Sequence, residues 1–245
     1  MQPPMDRWGV TAELAPLTGG HRNLAFRSHG LDRDLVFKTT RRSPAAIDWL
    51  GTVHQIARAC GFVVPTPLPS RAGRRVEDGW TCEPLIEGRA LAADELPGLL
   101  PQIRRFQALA RDLPQRPGFL SARDLLAAPA GGDVDLAHLP DDLVRHCRAA
   151  WQAVAGQAET IVHGDLTPAN LLRCPDGAVA LLDWDECRRD LALFDLGLLG
   201  PASAAERRAQ LAWEVACSWQ IEPDHARRLA LQLQDGARPA ASSNP

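Results

Sequence analysis

Two stretches of the chain end apolar, strand-like runs in oxygen-bearing side chains. The first, IVHGDLTPANLL over Ile161 to Leu172, delivers Asp165 and, five positions later, Asn170. The second, AVALLDWDE over Ala178 to Glu186, delivers Asp183, eighteen positions after Asp165. Pro168 and the neighbouring glycine and aspartate make the intervening segment a fixed loop rather than a helix. Two carboxylates and a carboxamide at the ends of adjacent short strands present only oxygen atoms. Such a set suits Mg2+, which takes few protein ligands, keeps several waters and shares phosphate oxygens. Singly, Asp165 reads as a turn residue and Asn170 as a loop cap. Taken jointly they point to catalytic and metal roles.

A second signal is a rarity. All but one of the 27 basic Lys and Arg residues are arginines, and the exception is Lys38 in LVFKTT. A stray lysine in an arginine-biased chain is one reading. The other is a site that needs a compact ammonium point charge, on a phosphate oxygen for instance, where the planar guanidinium fork would not serve.

The elements that must position these groups fall into two characters. Val10 to Leu17, Asn23 to His29 and Leu35 to Thr40 read as strands. The segment from Ser43 to Gly61 reads as a helix with Ser43 as N-cap, Pro44 at N1 and Gly61 as stop. Asp78-Gly79 predicts a hairpin turn leading into a strand that ends near Ile86. Beyond Gly88 the apolar spacing turns helical over Asp94 to Asp112, Asp141 to Glu159 and most of Leu191 to Gln234. Ile161 to Asp183 returns to short strands and loops. The expectation is an α+β chain: a strand-rich part over residues 1–86 and a helix-rich part over 87–245, with a ligand cleft between them.

At this point the sequence resembles the aminoglycoside phosphotransferase family and its small-molecule kinase relatives. HGDLTPAN fills every fixed position of the family's H-G-D-x-x-x-x-N catalytic loop. LLDWDE resembles the metal-binding I-D-W-D/E segment that stands where protein kinases carry D-F-G. LALFDLG, Leu191 to Gly197, resembles the downstream D-P-x-x-D-L-A segment without its proline. The resemblance implies a two-lobed protein-kinase-like fold, with a small antiparallel-sheet N-lobe and a mainly helical C-lobe. It also implies transfer of the γ-phosphoryl group of ATP or GTP to a hydroxyl of a small molecule, an antibiotic such as an aminoglycoside or a metabolite. Asp165 would be the catalytic base, and Asn170 and Asp183 would hold Mg2+. Lys38 would bind phosphate, His163 would brace the loop, and Asp195 would anchor it. Gly19 and Gly20, in LTGGHRN, would let backbone N–H groups approach phosphate, or form a plain turn. Glu83, in WTCEPLIEGR, falls in the interlobe strand and hinge whose backbone would hold adenine. Asp185 and Glu186 would face a substrate cation or solvent.

One departure stands out. Kinase-like folds pair the strand lysine with a Glu on the next helix, and Pro44 to Cys60 contains none. Asp48 is its only acid, so either Asp48 reaches Lys38 or His54 or Gln55 replaces the pair. The alternative function that this feeds is a non-catalytic, pseudokinase-like nucleotide-binding module. A protein kinase is disfavoured, because DWD replaces D-F-G and no A-P-E-like segment follows.

The bulk numbers agree with a globular domain or two in 245 residues. A net charge of −3 argues against a dedicated nucleic-acid binder. No basic n-region precedes an apolar run, and no window carries the ~18 apolar residues of a membrane span. A cytoplasmic enzyme, monomeric or dimeric, is the expectation. The six cysteines are scattered, which predicts buried reduced thiols. The Arg74-Arg75 and Arg188-Arg189 pairs read as solvated faces.

Overall fold

The structure, a computed structural model, describes residues 1–17, 23–197 and 199–235. Its strands are β1 (Glu13–Leu17), β2 (Ala25–His29), β3 (Leu35–Thr39), β4 (Phe62–Val63), β5 (Trp80–Pro84), β6 (Arg89–Ala90), β7 (Ala130–Gly131), β8 (Val134–Asp135), β9 (Glu159–Val162), β10 (Leu171–Arg173), β11 (Val179–Leu181) and β12 (Arg188–Leu191). Its α-helices are α1 (Pro44–Ala59), α2 (Leu100–Ala110), α3 (Asp141–Gln152), α4 (Leu193–Leu196), α5 (Ala204–Ser218) and α6 (Pro223–Asp235). The α+β class and the antiparallel N-terminal sheet are as the sequence predicts. The chain forms two compact units. The first takes Met1–Ala110, Arg116–Gly118 and Leu166–Asp185, so it runs on past Ile86 and takes in Asn170 and Asp183. The second takes Arg111–Gln115, Phe119–Asp165 and the chain from Glu186.

In the first unit β1, β2, β3 and β5 form one antiparallel sheet. Register decides what it offers. Phe37 faces Cys82, Lys38 faces Thr81 and Val36 faces Glu83. Opposed residues share a face and neighbours along a strand alternate. Phe37, Trp80 and Cys82 therefore form a small core with Trp8, Leu14 and Leu68 against them, while Lys38, Thr81 and Glu83 share the other face. The Asp78-Gly79 turn forms as predicted. Both residues take positive φ, 50° and 79°, and Glu77 and Trp80 exchange backbone hydrogen bonds of 2.9 and 2.8 Å.

Helix α1 starts where its cap signal lies: the Ser43 hydroxyl accepts from the Ala46 N–H, and Pro44 opens the first turn. Ile47, Leu50, Val53, His54 and Ala57 form its buried stripe. The predicted helix from Asp94 is split instead. Ala93–Leu99 is a 3-10 helix with Pro97 inside it, and α2 begins only at Leu100. Proline removes an N–H and crowds the preceding turn, which breaks an α-helical ladder there. A second sheet runs β4-β11-β10-β6, with β10 and β11 an antiparallel hairpin.

In the second unit α3, α5 and α6 enclose a core that includes Trp151, Trp213, Leu143, Val215 and Leu233. Helix α3 ends at Gln152, short of the predicted Glu159, which instead opens β9. β9 pairs with β12, from Arg188 opposite Val162 to Leu191 opposite Glu159. Arg188 departs from the expected solvated face. It is fully buried, its Nε donates to Asp190 at 2.8 Å, and its guanidinium stacks 3.5 Å from the centre of the Trp213 ring. All six cysteines are free and buried, as expected. Among the described residues no helix is long and apolar enough to cross a membrane.

Candidate active site

The β10–β11 hairpin explains how Asn170 and Asp183 come together. Leu171 opposes Leu181, and the Leu182 N–H donates to the Asn170 carbonyl at 2.9 Å. Asn170 precedes β10 and Asp183 follows β11, so the two leave the same end of one hairpin. Asp183 holds φ at 56°, a left-handed conformation that few residues with a side chain adopt but that Asp tolerates. Strained backbone of this kind clusters at functional sites.

Lys38 reaches that end from β3, 145 residues earlier in the chain. Its Nζ donates to Asp183 Oδ1 at 2.6 Å and lies 3.2 Å from Asp185 Oδ2. Burial opposes its charge, but Asp185, Asp183 and Glu83 outweigh it and hold its pKa above the ordinary value. Glu83 shares the pocket with Lys38, Thr81, Asp183, Trp184 and Asp185. Burial pushes its carboxyl up to about 8, with Lys38 pulling the other way. Burial also raises Asp185, yet Lys38, Arg42 and Arg116 bring it below the usual carboxylate range. Next to Asp183, Trp184 donates to the Leu181 carbonyl and packs edge-on against His54 of α1 and Phe106 of α2.

In place of a helix glutamate, α1 turns His54 to this packing. His54 Nδ1 sits 3.0 Å from Thr66 Oγ1, and Asp48 pairs with Arg75 at 2.9 Å. Lys38 instead takes Asp183 and Asp185, just past β11, as its partners. The sequence carried a hint of this, because Asp183 and Asp185 are two apart. It carried none for Arg116, a buried arginine that donates to the carbonyls of Ala46, Trp184 and Asp185.

Asp165 belongs to the second unit, at the point where the chain passes into the first. Its loop leaves β9 and is held by Asp195, whose carboxylate accepts the His163 N–H at 2.9 Å and the Gly164 N–H at 3.0 Å. The Asp165 N–H donates to His163 Nδ1 at 3.4 Å. Gly164 takes φ of 87°, and a Cβ there would lie 2.7 Å from the Glu186 carbonyl oxygen, so the turn admits glycine alone.

Lys38, Glu83 and Asp183 are thus brought to one pocket, with Asn170 at the same hairpin end as Asp183. Gly19 and Gly20 lie outside the described residues. Among the described residues no three His, Cys, Asp or Glu side chains converge on a metal position. The oxygen donors Asp183 and Asn170 fit a hard cation that shares its shell with phosphate and water rather than a closed protein cage.

The APH model, for the phosphotransferase enzyme family, matches residues 13–231. No curated protein matches the sequence. Several solved structures are similar in fold. Choline kinase LicA from Streptococcus pneumoniae aligns with a TM-score of 0.66 at 12% identity, over 95% of each chain. A thermostable mutant of aminoglycoside phosphotransferase APH(4)-Ia, in a ternary complex with AMP-PNP and hygromycin B, aligns with a TM-score of 0.65 at 14% identity, over 98% of this chain and 97% of that one. A microcompartment-associated aminopropanol kinase aligns with a TM-score of 0.63 at 16% identity, over 95% and 92%. At these identities the likeness is one of fold.

Proposed function

Because the chain belongs to the phosphotransferase enzyme family, we propose that it moves the γ-phosphoryl group of ATP or GTP to a hydroxyl of a small molecule, an antibiotic such as an aminoglycoside or a metabolite. The observation that carries the reading is the convergence of Lys38 on Asp183, 2.6 Å apart across 145 residues, with Asn170 at the same hairpin end. Asp165 accepts the proton of the attacking hydroxyl and orients its oxygen. Lys38 supplies a point charge to the nucleotide phosphates. Asn170 and Asp183 are the ligands for Mg2+, which neutralises phosphate charge when bound with nucleotide. Residues 1–86, including Gly19, Gly20 and the Glu83 strand, serve the nucleotide, and residues 87–245 serve the acceptor. The enzyme works in the cytoplasm as a monomer or dimer.

The support for nucleotide as the donor is twofold: the phosphate-type lysine and metal-type carboxylate meet here, and fold neighbours were crystallised with ADP or AMP-PNP. The non-catalytic reading drew on the missing helix glutamate. Lys38 has two carboxylates without it, which weakens that argument.

The test is calorimetric titration of MgATP and then MgGTP into the protein and into Asp183→Asn, followed by a screen of hydroxyl acceptors. Mg2+-dependent binding, lost in the variant, is the expected result. A protein that binds neither nucleotide would overturn the reading.

A further inference from the structure

The two carboxylates on Lys38 are not equivalent. Asp183 is the nearer, but its side chain is 43% exposed, and Lys38 is its one hydrogen-bond partner among the described residues. Asp185 is 21% exposed and anchored more than once. Its Oδ2 accepts from Asn23 Nδ2 at 2.5 Å, so the residue that leads into β2 holds it. Its carbonyl accepts from Arg116 at 2.9 Å, and the Trp184 carbonyl accepts from the same nitrogen at 3.1 Å. The Arg116 Nε reaches the Ala46 carbonyl in the first turn of α1 at 3.1 Å. A buried, planar guanidinium bound to carbonyls of two segments is a rigid tie.

We infer that Asp185 is the positioning residue of Lys38, in the place of the glutamate that α1 lacks, and that the Lys38–Asp183 contact is a resting contact that opens when metal and nucleotide enter. The inference rests on the phosphotransferase reading for the second half of that statement. The physical reason is the flexibility of lysine. Its four-carbon stem keeps no orientation by itself. Once Asp183 turns to a cation, an ammonium with no other partner would swing freely. A second carboxylate, held independently by Asn23 and by the Arg116 tie, keeps the charge aimed. It also explains why a carboxylate can sit beside a phosphate-binding lysine: Arg42 and Arg116 offset its charge along with Lys38.

The chain offers its own probe, since Lys38 is its single lysine. Full-length protein labelled with 13Cε-lysine gives one ε-methylene resonance in NMR spectra. A held ammonium makes the attached ε-protons inequivalent; a free one averages them. The wild type is expected to show inequivalent signals. Asp183→Asn keeps them, and Asp185→Asn collapses them to one averaged signal. MgATP added to the wild type shifts the resonance while the inequivalence persists.

A folded Asp185→Asn with the wild-type pattern, or an Asp183→Asn that alone loses it, would overturn the inference. Thermal unfolding confirms that each variant folds. Should Asp185→Asn fail to fold, Asn23→Ala leaves every charge in place and loosens only the tether. A narrowed separation supports the inference, and an unchanged one overturns it. The two readings fail separately. A wild type that responds to neither MgATP nor MgGTP overturns the opening of the Asp183 contact together with the phosphotransferase reading. A clear MgATP response with Asp185→Asn unaltered overturns the role of Asp185 alone.

Discussion

Lys38 is the only lysine of the chain, and its surroundings hold its charge. Its ammonium stays protonated against burial because the Asp185 and Asp183 carboxylates face it, with Glu83 close by. Lys38→Arg keeps the charge but replaces a compact donor with a wide fork among Asp183, Asp185 and Glu83. Phosphoryl transfer is expected to fall roughly tenfold or more, by the loss of a charge-assisted contact; an unchanged rate would show that shape does not matter there. Asp165 sits in a loop pinned by Asp195 through two backbone N–H groups. Asp165→Ala is expected to lower turnover by about 10²–10⁴-fold while the MgATP dissociation constant, measured by calorimetry, changes little. Near-normal turnover would remove its role as base. The proposal for Asp165 came from its spacing to Asn170 and Asp183 and from the resemblance those motifs carry. Asp185 was legible only as an acid of open role, since nothing in the sequence says which cation faces it.

Among elements, the capped helix and the Asp-Gly hairpin were readable because each is decided by local chemistry: a hydroxyl accepting an orphan N–H, and residues that tolerate positive φ. The 3-10 stretch before α2 was not, because its apolar spacing reads as helix until the prolines are weighed. That same stretch holds an electrostatic junction of the first unit. Glu95 pairs with Arg89 of β6 at 2.6 Å and with Arg173 of β10 at 3.0 Å, and it accepts the Ala92 N–H at 3.0 Å. The Arg89 hydrogen bond foremost, then the Ala92 N–H and Arg173, bring its carboxyl down to about 2 from an ordinary 4.5. A depressed carboxylate contributes stability above its unfolded pKa, and that contribution drains away as pH falls from about 4.5 towards 2. Glu95→Gln is therefore expected to melt below the wild type near pH 7, with the two curves converging as pH drops below 4.5. The partners are part-exposed, so high salt also narrows the gap. A gap that is constant with pH would show that the ion pairs do not matter.

At the scale of the whole molecule, the scattered cysteines and the arginine-rich composition gave opposite lessons. Scatter correctly predicted free, buried thiols. Burial pushes Cys82 up to about 12, with help from Glu83, and Cys147 up to about 12. A thiolate is the reactive form, so a disulfide reagent at pH 8 is expected to find almost no reactive thiol in the native protein and all six after unfolding. Fast labelling of the native state would refute the burial. Arg188, by contrast, read as surface charge and Arg116 carried no signal, yet both are buried, one paired with Asp190 and the other tied to three carbonyls. Legible along the chain were the strand carrying Lys38, the capped helix, the Asp78-Gly79 turn and the α+β class, because each rests on contacts or periodicities within a few tens of residues. Only the tertiary structure decided which carboxylates Lys38 meets, that Asp48 turns to Arg75, that Asn23 holds Asp185, and that Arg116 ties α1 to Trp184 and Asp185. Those pairings join residues 27 to 162 positions apart. Charge and hydrogen-bonding capacity are properties of a residue, but the partner that satisfies them is set by strand register and packing, which no local pattern encodes.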